Sequence, residues 1–220
     1  MLHDNLEKYS ELLKKVDAYS AYHEPKFLLA EEKAEESPIK IFVYDDGEKI
    51  ALLPSIKRDI GKIQGLEKFG GYFDLKTPHE YSAVIASEAS EILYKNFFNA
   101  LDDYCRQNNI IFQFIRFNPY HQIDPNVAKN CGYNVILSNR QSCVTLQRPL
   151  EEILKSFSSS ARRNIKTAMR KNLRCEEVAP TKSNVEIFQK LYTASMDRLE
   201  AKKFFYFNKD YFENMLFEND

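Results

Sequence analysis

The chain of 220 residues is long enough for one large domain or two small ones, and its 44% hydrophobic and 29% charged residues are typical of a globular protein. The formal net charge of −1 points to neither a nucleic-acid nor a membrane partner, and no stretch approaches the ~18 apolar residues that cross a bilayer. The first ten residues carry acids and no apolar block, unlike a secretory signal, so we expect a cytoplasmic protein.

In chain order, the apolar pattern predicts a mixed α/β domain over residues 1–148. We expect helices at 4–16 (capped by Asp4), 88–108 and 127–131, and strands at 39–44, 49–56, 110–117, 133–137 and 143–147. The first two strands are joined by a hairpin turn at Asp45–Glu48. The strand at 110–117 is apolar on both faces, which predicts a central position in the sheet. The acidic stretch 28–38 reads as a boundary, and the glycine-rich stretch 58–82 as irregular chain lining an open edge.

The character of the chain changes after Pro149, and a second domain is expected over residues 149–220. Here the pattern predicts helices at 150–157, 161–172 and 185–199, a strand at 173–178, and a last helix near the end of the aromatic stretch FFYFNKDYFENMLF. The helix at 185–199 should bury one face: Phe188, Leu191, Tyr192, Ser195 and Leu199.

The cysteines and histidines predict no metal site. The four cysteines (105, 131, 143 and 175) form no CxxC pair, and the four histidines (3, 23, 79 and 121) do not cluster. His121, in the NPYHQ loop, is better explained as a surface residue than as a base. Nucleotide-loop and serine-nucleophile motifs are absent from the sequence as well.

Charge is unevenly distributed along the chain. Residues 155–174 contain no acid and seven bases: Lys155, Arg162, Arg163, Lys166, Arg170, Lys171 and Arg174. Since the whole chain has a net charge of −1, the other 200 residues carry −8. A serine run precedes the basic helix, where free N–H groups and the helix dipole favour an anion.

Three interpretations of this basic block remain open at this stage. It is a solvated helix face, a nucleic-acid contact, or a site for a small anionic ligand such as a nucleotide-sugar phosphate, coenzyme A or a tRNA end. The acidic character of the rest of the chain weakens the second of these.

The basic block also belongs to a longer pattern, SFSSSARRNIKTAMRKNLRCEEV followed by IFQKLYTASMDRLEAKKFFYFNKDYFENM. This pattern resembles the second-domain opening of FemAB-like transferases, the peptidoglycan-bridge aminoacyltransferases and their acetyltransferase relatives of the GNAT superfamily. Its anchors are Ser159, Arg163, Ile165, Lys166, Ala168, Phe188, Tyr192, Met196, Arg198 and the pair Tyr211-Phe212. More loosely, the glycines and tyrosine at 70–72 and the stretch IIFQFIRFNPYHQ resemble the first domain of the same proteins.

The resemblance implies a tandem pair of GNAT-like domains, each a mixed sheet with flanking helices, and a chemistry of acyl transfer to an amine. The donor would be acetyl-CoA or aminoacyl-tRNA as a co-substrate, with no tightly bound cofactor, and the acceptor a cell-wall precursor, a glycan or another small amine. The acetyl-CoA phosphate loop Q/R-x-x-G-x-G/A is not found, and relatives continue past this point. We therefore expect an incomplete second domain, completed by a partner chain or a further segment, or else an inactive fragment.

The resemblance and the basic pattern together suggest substrate- and phosphate-binding residues, but no general base. Arg162, Arg163 and Lys166 would bind the anionic part of the donor or acceptor. The residues expected to shape the acceptor site are Tyr192, Arg198, Tyr206 and Tyr211. Arg116 and Asn118, where the strand at 110–117 meets a loop, are expected to contact acceptor or phosphate. The main alternative is a non-catalytic module that binds RNA or a phosphorylated ligand through the helix at 161–172.

Overall fold

The computed structural model describes residues 6–16, 19–79, 81–118, 123–138 and 142–217. The chain divides into two compact units, a larger one of Met1–Ile136 with Pro180–Asp220 and a smaller one of Leu137–Ala179. This division is drawn from spatial contacts, and the predicted domains 1–148 and 149–220 stay a prediction.

The larger unit is built on one mixed sheet. Its strands are β1 (Ile39–Asp45), β2 (Ile50–Asp59), β3 (Phe73–Lys76), β4 (Ile85–Ala86) and β5 (Ile110–Phe114). The order is β1-β2-β3-β5, with β4 also paired to β2. The β1–β2, β2–β3 and β2–β4 pairs are antiparallel, whereas β3 and β5 are parallel.

Eight α-helices accompany the sheet in the described part of the chain. They are α1 (Leu6–Leu13), α2 (Pro25–Ala34), α3 (Glu91–Gln107), α4 (Pro125–Asn130), α5 (Leu150–Ser156), α6 (Ser159–Arg170), α7 (Lys182–Arg198) and α8 (Lys209–Leu216). Of these, α5 and α6 belong to the smaller unit. A mixed sheet with flanking helices confirms the predicted α/β class. Within the described residues, every helix is too short or too polar to cross a bilayer.

Strand β2 separates two hydrophobic cores, because successive side chains of a strand point to opposite faces. Ala51 and Leu53 join the core that contains α3. Ile50, Leu52 and Ile56 join the core that contains α1 and α2. Strand β2 has both faces buried and pairs with β1, β3 and β4, so it is the central strand of this sheet.

Several local predictions are confirmed. The expected hairpin is present as β1 and β2, and α3 begins where Ser90 accepts a hydrogen bond from Leu93 N. Helix α1 buries Tyr9 and Leu13, as its periodicity predicts. The proposed Asp4 cap lies outside the described residues.

The prediction that residues 110–117 form a central strand is wrong. Among the described residues β5 pairs only with β3, so it lies at the end of the sheet. Ile111 and Phe112 are 59% and 57% exposed. An apolar run indicates a strand, but it carries no information about whether a second strand pairs with its other edge.

The strands predicted at 133–137, 143–147 and 173–178 are also absent from the described parts of those segments. Ile136, Leu137 and Leu146 are all at least three-quarters exposed. Alternating side chains are compatible with extended chain, but a strand also needs a backbone partner, and these segments have no ladder in the described structure.

The sequence pattern did not predict helix α2 or strand β3, and the buried face that it predicted for helix α7 is wrong. Helix α2 lies in a stretch that its acidic residues mark as a boundary, yet Phe27 and Leu28 are buried. Strand β3 lies within the glycine-rich stretch and connects β2 to β5. On α7 the predicted apolar face is not buried, since Phe188 and Leu191 are 47% and 66% exposed.

Candidate functional site

Helix α6 is the basic helix that the sequence predicts. Ser158 caps its start, where the hydroxyl accepts a hydrogen bond from Ala161 N at 3.2 Å. Ala161, Ile165 and Ala168 are partly buried along one side, and no residue of α6 is fully buried. The helix therefore presents most of its surface to solvent.

The exposed side of α6 borders an open depression of about 630 Å³. Its lining residues are Ser159, Arg162, Arg163, Lys166, Met169 and Arg170. Four of these side chains are cationic and none is acidic, which produces a local positive potential within a chain of nearly zero net charge. This arrangement can bind an anion such as a phosphate, and guanidinium groups can do so with two parallel hydrogen bonds.

Arg162 is already engaged by the backbone. Its Nη1 donates hydrogen bonds to Lys155 O, at 2.9 Å, and to Phe157 O. Both carbonyls lie at the end of α5, so this guanidinium links the last turn of α5 to α6. Arg163 and Lys166 are exposed on the same helix. The predicted anion-binding role of Arg162, Arg163 and Lys166 stays a prediction, and the structure gives Arg162 a second role within the smaller unit.

Two of the three predicted tyrosines, Tyr192 and Tyr211, lie in an aromatic cluster of the larger unit. Ring contacts between 4.3 and 6.3 Å join its members, and Phe204 and Phe205 are connected to the others through the His79 ring. We use this name for Phe188, Tyr192, Phe204, Phe205, Phe207, Tyr211 and Phe212. Tyr192 OH donates to Phe205 O at 2.7 Å, which ties α7 to the chain that follows it. Tyr211 stacks on Phe207 with ring centroids 4.3 Å apart. The structure therefore brings Tyr192 and Tyr211 together.

Arg198 is the last residue of α7, and Tyr206 bonds to the residue before it. Tyr206 OH donates to Asp197 Oδ1 at 3.0 Å, and both of these residues and Arg198 are exposed. Desolvation and the neighbouring Asp197 carboxylate raise the pKa of Tyr206, and desolvation raises the pKa of Tyr192. Both phenols thus stay protonated at neutral pH and act as hydrogen-bond donors.

The partner of Tyr211 is a buried carboxylate that the sequence did not indicate. Glu31 on α2 is 2% exposed, and its Oε1 accepts a hydrogen bond from Tyr211 OH at 3.0 Å. Its Oε2 accepts from His79 N at 2.7 Å, and the His79 ring lies 5.3 Å from Phe204. These residues come from distant parts of the chain, so no local signal could have joined them.

The comparisons with known proteins concern the C-terminal part of the chain. Residues 129–218 match the model of the FemAB family. This stretch of the chain is FemAB-like. The matched stretch contains the basic helix α6 and all three predicted tyrosines. Neither a curated protein nor a solved structure matches the chain.

Two predicted site residues, Arg116 and Asn118, precede the matched stretch. Arg116 N donates to Thr77 Oγ1 at 3.1 Å, and its guanidinium carbon lies 5.8 Å from the centre of the Phe114 ring. Asn118 is 6% exposed. Their contact with acceptor or phosphate stays a prediction, and His121 lies outside the described residues.

Cysteine chemistry and metal binding gain no support from the geometry. Burial raises the pKa of the Cys105 thiol to about 11 and also raises that of Cys131. Both thiols are therefore poor nucleophiles at neutral pH. Across the described residues, no three His, Cys, Asp or Glu side chains are grouped closely enough to hold a metal ion.

Proposed function

We propose that this FemAB-like protein is an N-acyltransferase that moves an acetyl or aminoacyl group onto an amine. The observation that carries the proposal is the match of residues 129–218 to the FemAB family, whose members the resemblance connects with peptidoglycan-bridge synthesis. The acceptor would be an amine of a cell-wall precursor, a glycan or another small molecule, and the reaction would take place in the cytoplasm.

The chemistry asks little of the side chains. A neutral amine attacks the acyl carbonyl carbon, a C–N bond forms, and the C–O bond of an ester or the C–S bond of a thioester breaks. The amine proton is lost to solvent, and the departing oxygen or sulfur is protonated. The main requirement is positioning, with the amine held ~3 Å from the carbonyl and the attached anionic groups held firmly.

The basic face of α6 supports the positioning part of this proposal. Acetyl-CoA and aminoacyl-tRNA both carry phosphates, and so do many cell-wall precursors. Arg163 and Lys166 are exposed on this face, beside Arg170 and with no acidic neighbour lining the depression. We assign these cations to the phosphates of donor or acceptor, with Arg162 contributing charge while it holds α5.

The aromatic cluster is proposed to border the acceptor site. The hydroxyl groups of Tyr192 and Tyr211 already donate hydrogen bonds to Phe205 O and Glu31, so the rings of these tyrosines, rather than their hydroxyls, would contact an acceptor. Arg198 and Tyr206 are exposed and would reach acceptor groups directly. We name no general base.

The test is a turnover assay read by mass spectrometry. The protein is incubated with acetyl-CoA or with charged tRNA, and with a cell-wall precursor peptide that carries a free amine. We expect a product heavier by one acyl group, and a raised KM for the phosphate-bearing substrate in Arg163→Ala/Lys166→Ala. Lys190→Ala, an exposed lysine on α7, is the matched control and should behave as wild type. Absence of product with every donor would contradict the proposal.

A non-catalytic module that binds RNA or a phosphorylated ligand is the second candidate, favoured by the exposure and uniform charge of α6. Nucleic-acid binding through phosphates weakens steeply as salt concentration rises. RNA binding with a steep salt slope, lost in Arg163→Ala/Lys166→Ala and accompanied by no acyl transfer, would establish this candidate in place of the first.

A further inference from the structure

The loop between β2 and β3, residues 60–72, is a largely exposed segment beside the sheet. Its ends are held together because Asp59 and Phe73 are paired in the antiparallel ladder. Every residue from 62 to 72 is exposed. Compact loops with closed ends are frequent sites of function.

A closed ring of backbone hydrogen bonds orders this loop. Each bond joins residues three apart, until the last returns to the start: Ile63 N to Ile60 O, Leu66 N to Ile63 O, Phe69 N to Leu66 O, Tyr72 N to Phe69 O, and Ile60 N to Tyr72 O. Gly61 packs so closely on Gly70 that a Cβ at Gly61 would lie 2.6 Å from Gly70 Cα. The loop is thus preordered, and binding would cost little conformational entropy.

Four of the five residues whose backbone groups form this ring have exposed apolar or aromatic side chains, and we call these four the corners; the fifth, Ile60, is buried. Ile63, Leu66, Phe69 and Tyr72 are 37%, 36%, 37% and 45% exposed. Exposing a group of apolar side chains to water is unfavourable, and such groups on a protein surface often mark a binding site.

Lysines lie beside these corners. Lys62 precedes Ile63, and Lys68 Nζ lies 5.0 Å from the centre of the Phe69 ring. The acid of the loop, Glu67, turns its carboxylate to Gly65 N at 2.9 Å, a bond that lowers its pKa. The loop therefore combines apolar tips with a small excess of positive charge.

We propose that this loop is a contact site for an anionic lipid surface. Apolar and aromatic tips enter the boundary between headgroups and acyl chains, and lysines beside them meet lipid phosphates. Apolar tips that instead served a protein partner would not respond to lipid vesicles, so the tests below distinguish the two. The contact is peripheral and requires no membrane-spanning helix.

The absence of tryptophan from the chain gives a direct test. In Phe69→Trp the new indole is the only one, and vesicles of phosphatidylglycerol and phosphatidylcholine should shift its emission to the blue. Brominated lipids in the same vesicles should quench it. The matched control is Ile92→Trp on α3, where the wild-type side chain is 73% exposed and the indole should stay in water.

Binding itself is measured by vesicle flotation. Leu66→Asp should lower the vesicle partition coefficient by about tenfold, the effect of withdrawing one partly inserted aliphatic side chain. Ile92→Asp should leave it unchanged. Lys62→Gln/Lys68→Gln should weaken binding to anionic vesicles and leave the weaker binding to pure phosphatidylcholine unaltered.

Either of two results would overturn the proposal. One is a tryptophan emission spectrum of Phe69→Trp that does not change when vesicles are added. The other is vesicle binding that Leu66→Asp leaves intact, which would place the lipid contact elsewhere. Circular dichroism of each variant shows that its fold is retained, and because the corners are exposed, all of these variants should fold.

Discussion

Replacing Tyr211 by phenylalanine isolates the hydrogen bond between α8 and α2. Tyr211→Phe keeps the ring that stacks on Phe207 and removes the hydroxyl that donates to Glu31 Oε1 at 3.0 Å. Glu31 is 2% exposed, so water cannot easily replace the lost donor. The variant leaves one carboxylate oxygen of a buried acid with one donor fewer.

The expected cost follows from the charge and burial of the acceptor. A hydrogen bond to a charged group contributes about 1.5–3 kcal/mol, at the upper end where loss of the partner leaves a buried acceptor unsatisfied. The Glu31 bond to His79 N at 2.7 Å survives the substitution and partly stabilises the carboxylate. We therefore expect Tyr211→Phe to lower the free energy of unfolding by about 2 kcal/mol.

Urea denaturation followed by circular dichroism measures this loss. With a urea dependence of about 2 kcal/mol per molar, the midpoint should fall by about 1 M. Tyr206→Phe is the matched control, since it removes the same atom from an exposed tyrosine bonded to exposed Asp197, and its midpoint should not move. Equal midpoints for both variants would refute the argument that burial of Glu31 makes the Tyr211 bond strong.

Three further predictions concern single side chains. Gly61→Ala should destabilise the protein by about 1–3 kcal/mol in thermal melts, because the new Cβ would meet Gly70 Cα at 2.6 Å. Gly70→Ala should cost much less, because its Cβ would have no neighbour closer than 3.6 Å, and a larger loss for Gly70→Ala than for Gly61→Ala would contradict the packing of the loop. Arg162→Ala should loosen the junction of α5 and α6, seen as faster amide exchange there, whereas Arg163→Ala should lower phosphate binding and leave exchange unchanged. Cys105 should resist thiol reagents until the pH nears its raised pKa of about 11. Because the unfolded thiol ionises near pH 9.0, the free energy of unfolding should fall as the pH rises from 9.0 to about 11. Rapid labelling of Cys105 at pH 8 would contradict this prediction, since it would show an accessible thiol with an ordinary pKa.

Much of the fold follows from short stretches of sequence. The hairpin of β1 and β2 has a turn of acids and glycine between two apolar runs, and α3 has a serine cap and a regular apolar face. The basic face of α6 is equally local, because a helix of known start distributes Arg163 and Lys166 without help from the rest of the chain. These features depend only on residues a few positions apart in the chain, so they can be predicted directly from the sequence.

The position of each strand in the sheet depends on pairing that no single segment encodes. Residues 110–114 have the composition of a central strand and lie at the end of the sheet, while β3, in a glycine-rich stretch, connects β2 to β5. The apolar pattern of 133–137 likewise predicts a strand that would need a backbone partner to form. Composition fixes which residues prefer an extended chain, and the ladder is decided by which other strands fold beside it.

The sequence by itself determined the α/β class, the segregated charge and the resemblance that the FemAB match confirms. Only the tertiary structure decided how the predicted site residues are used. It joined Tyr211 to Glu31 across the length of the chain, and it engaged the guanidinium of Arg162 with backbone carbonyls. The reason is physical: propensity and periodicity act over a few residues, whereas the partner of a buried polar group is whatever the fold brings within about 3 Å.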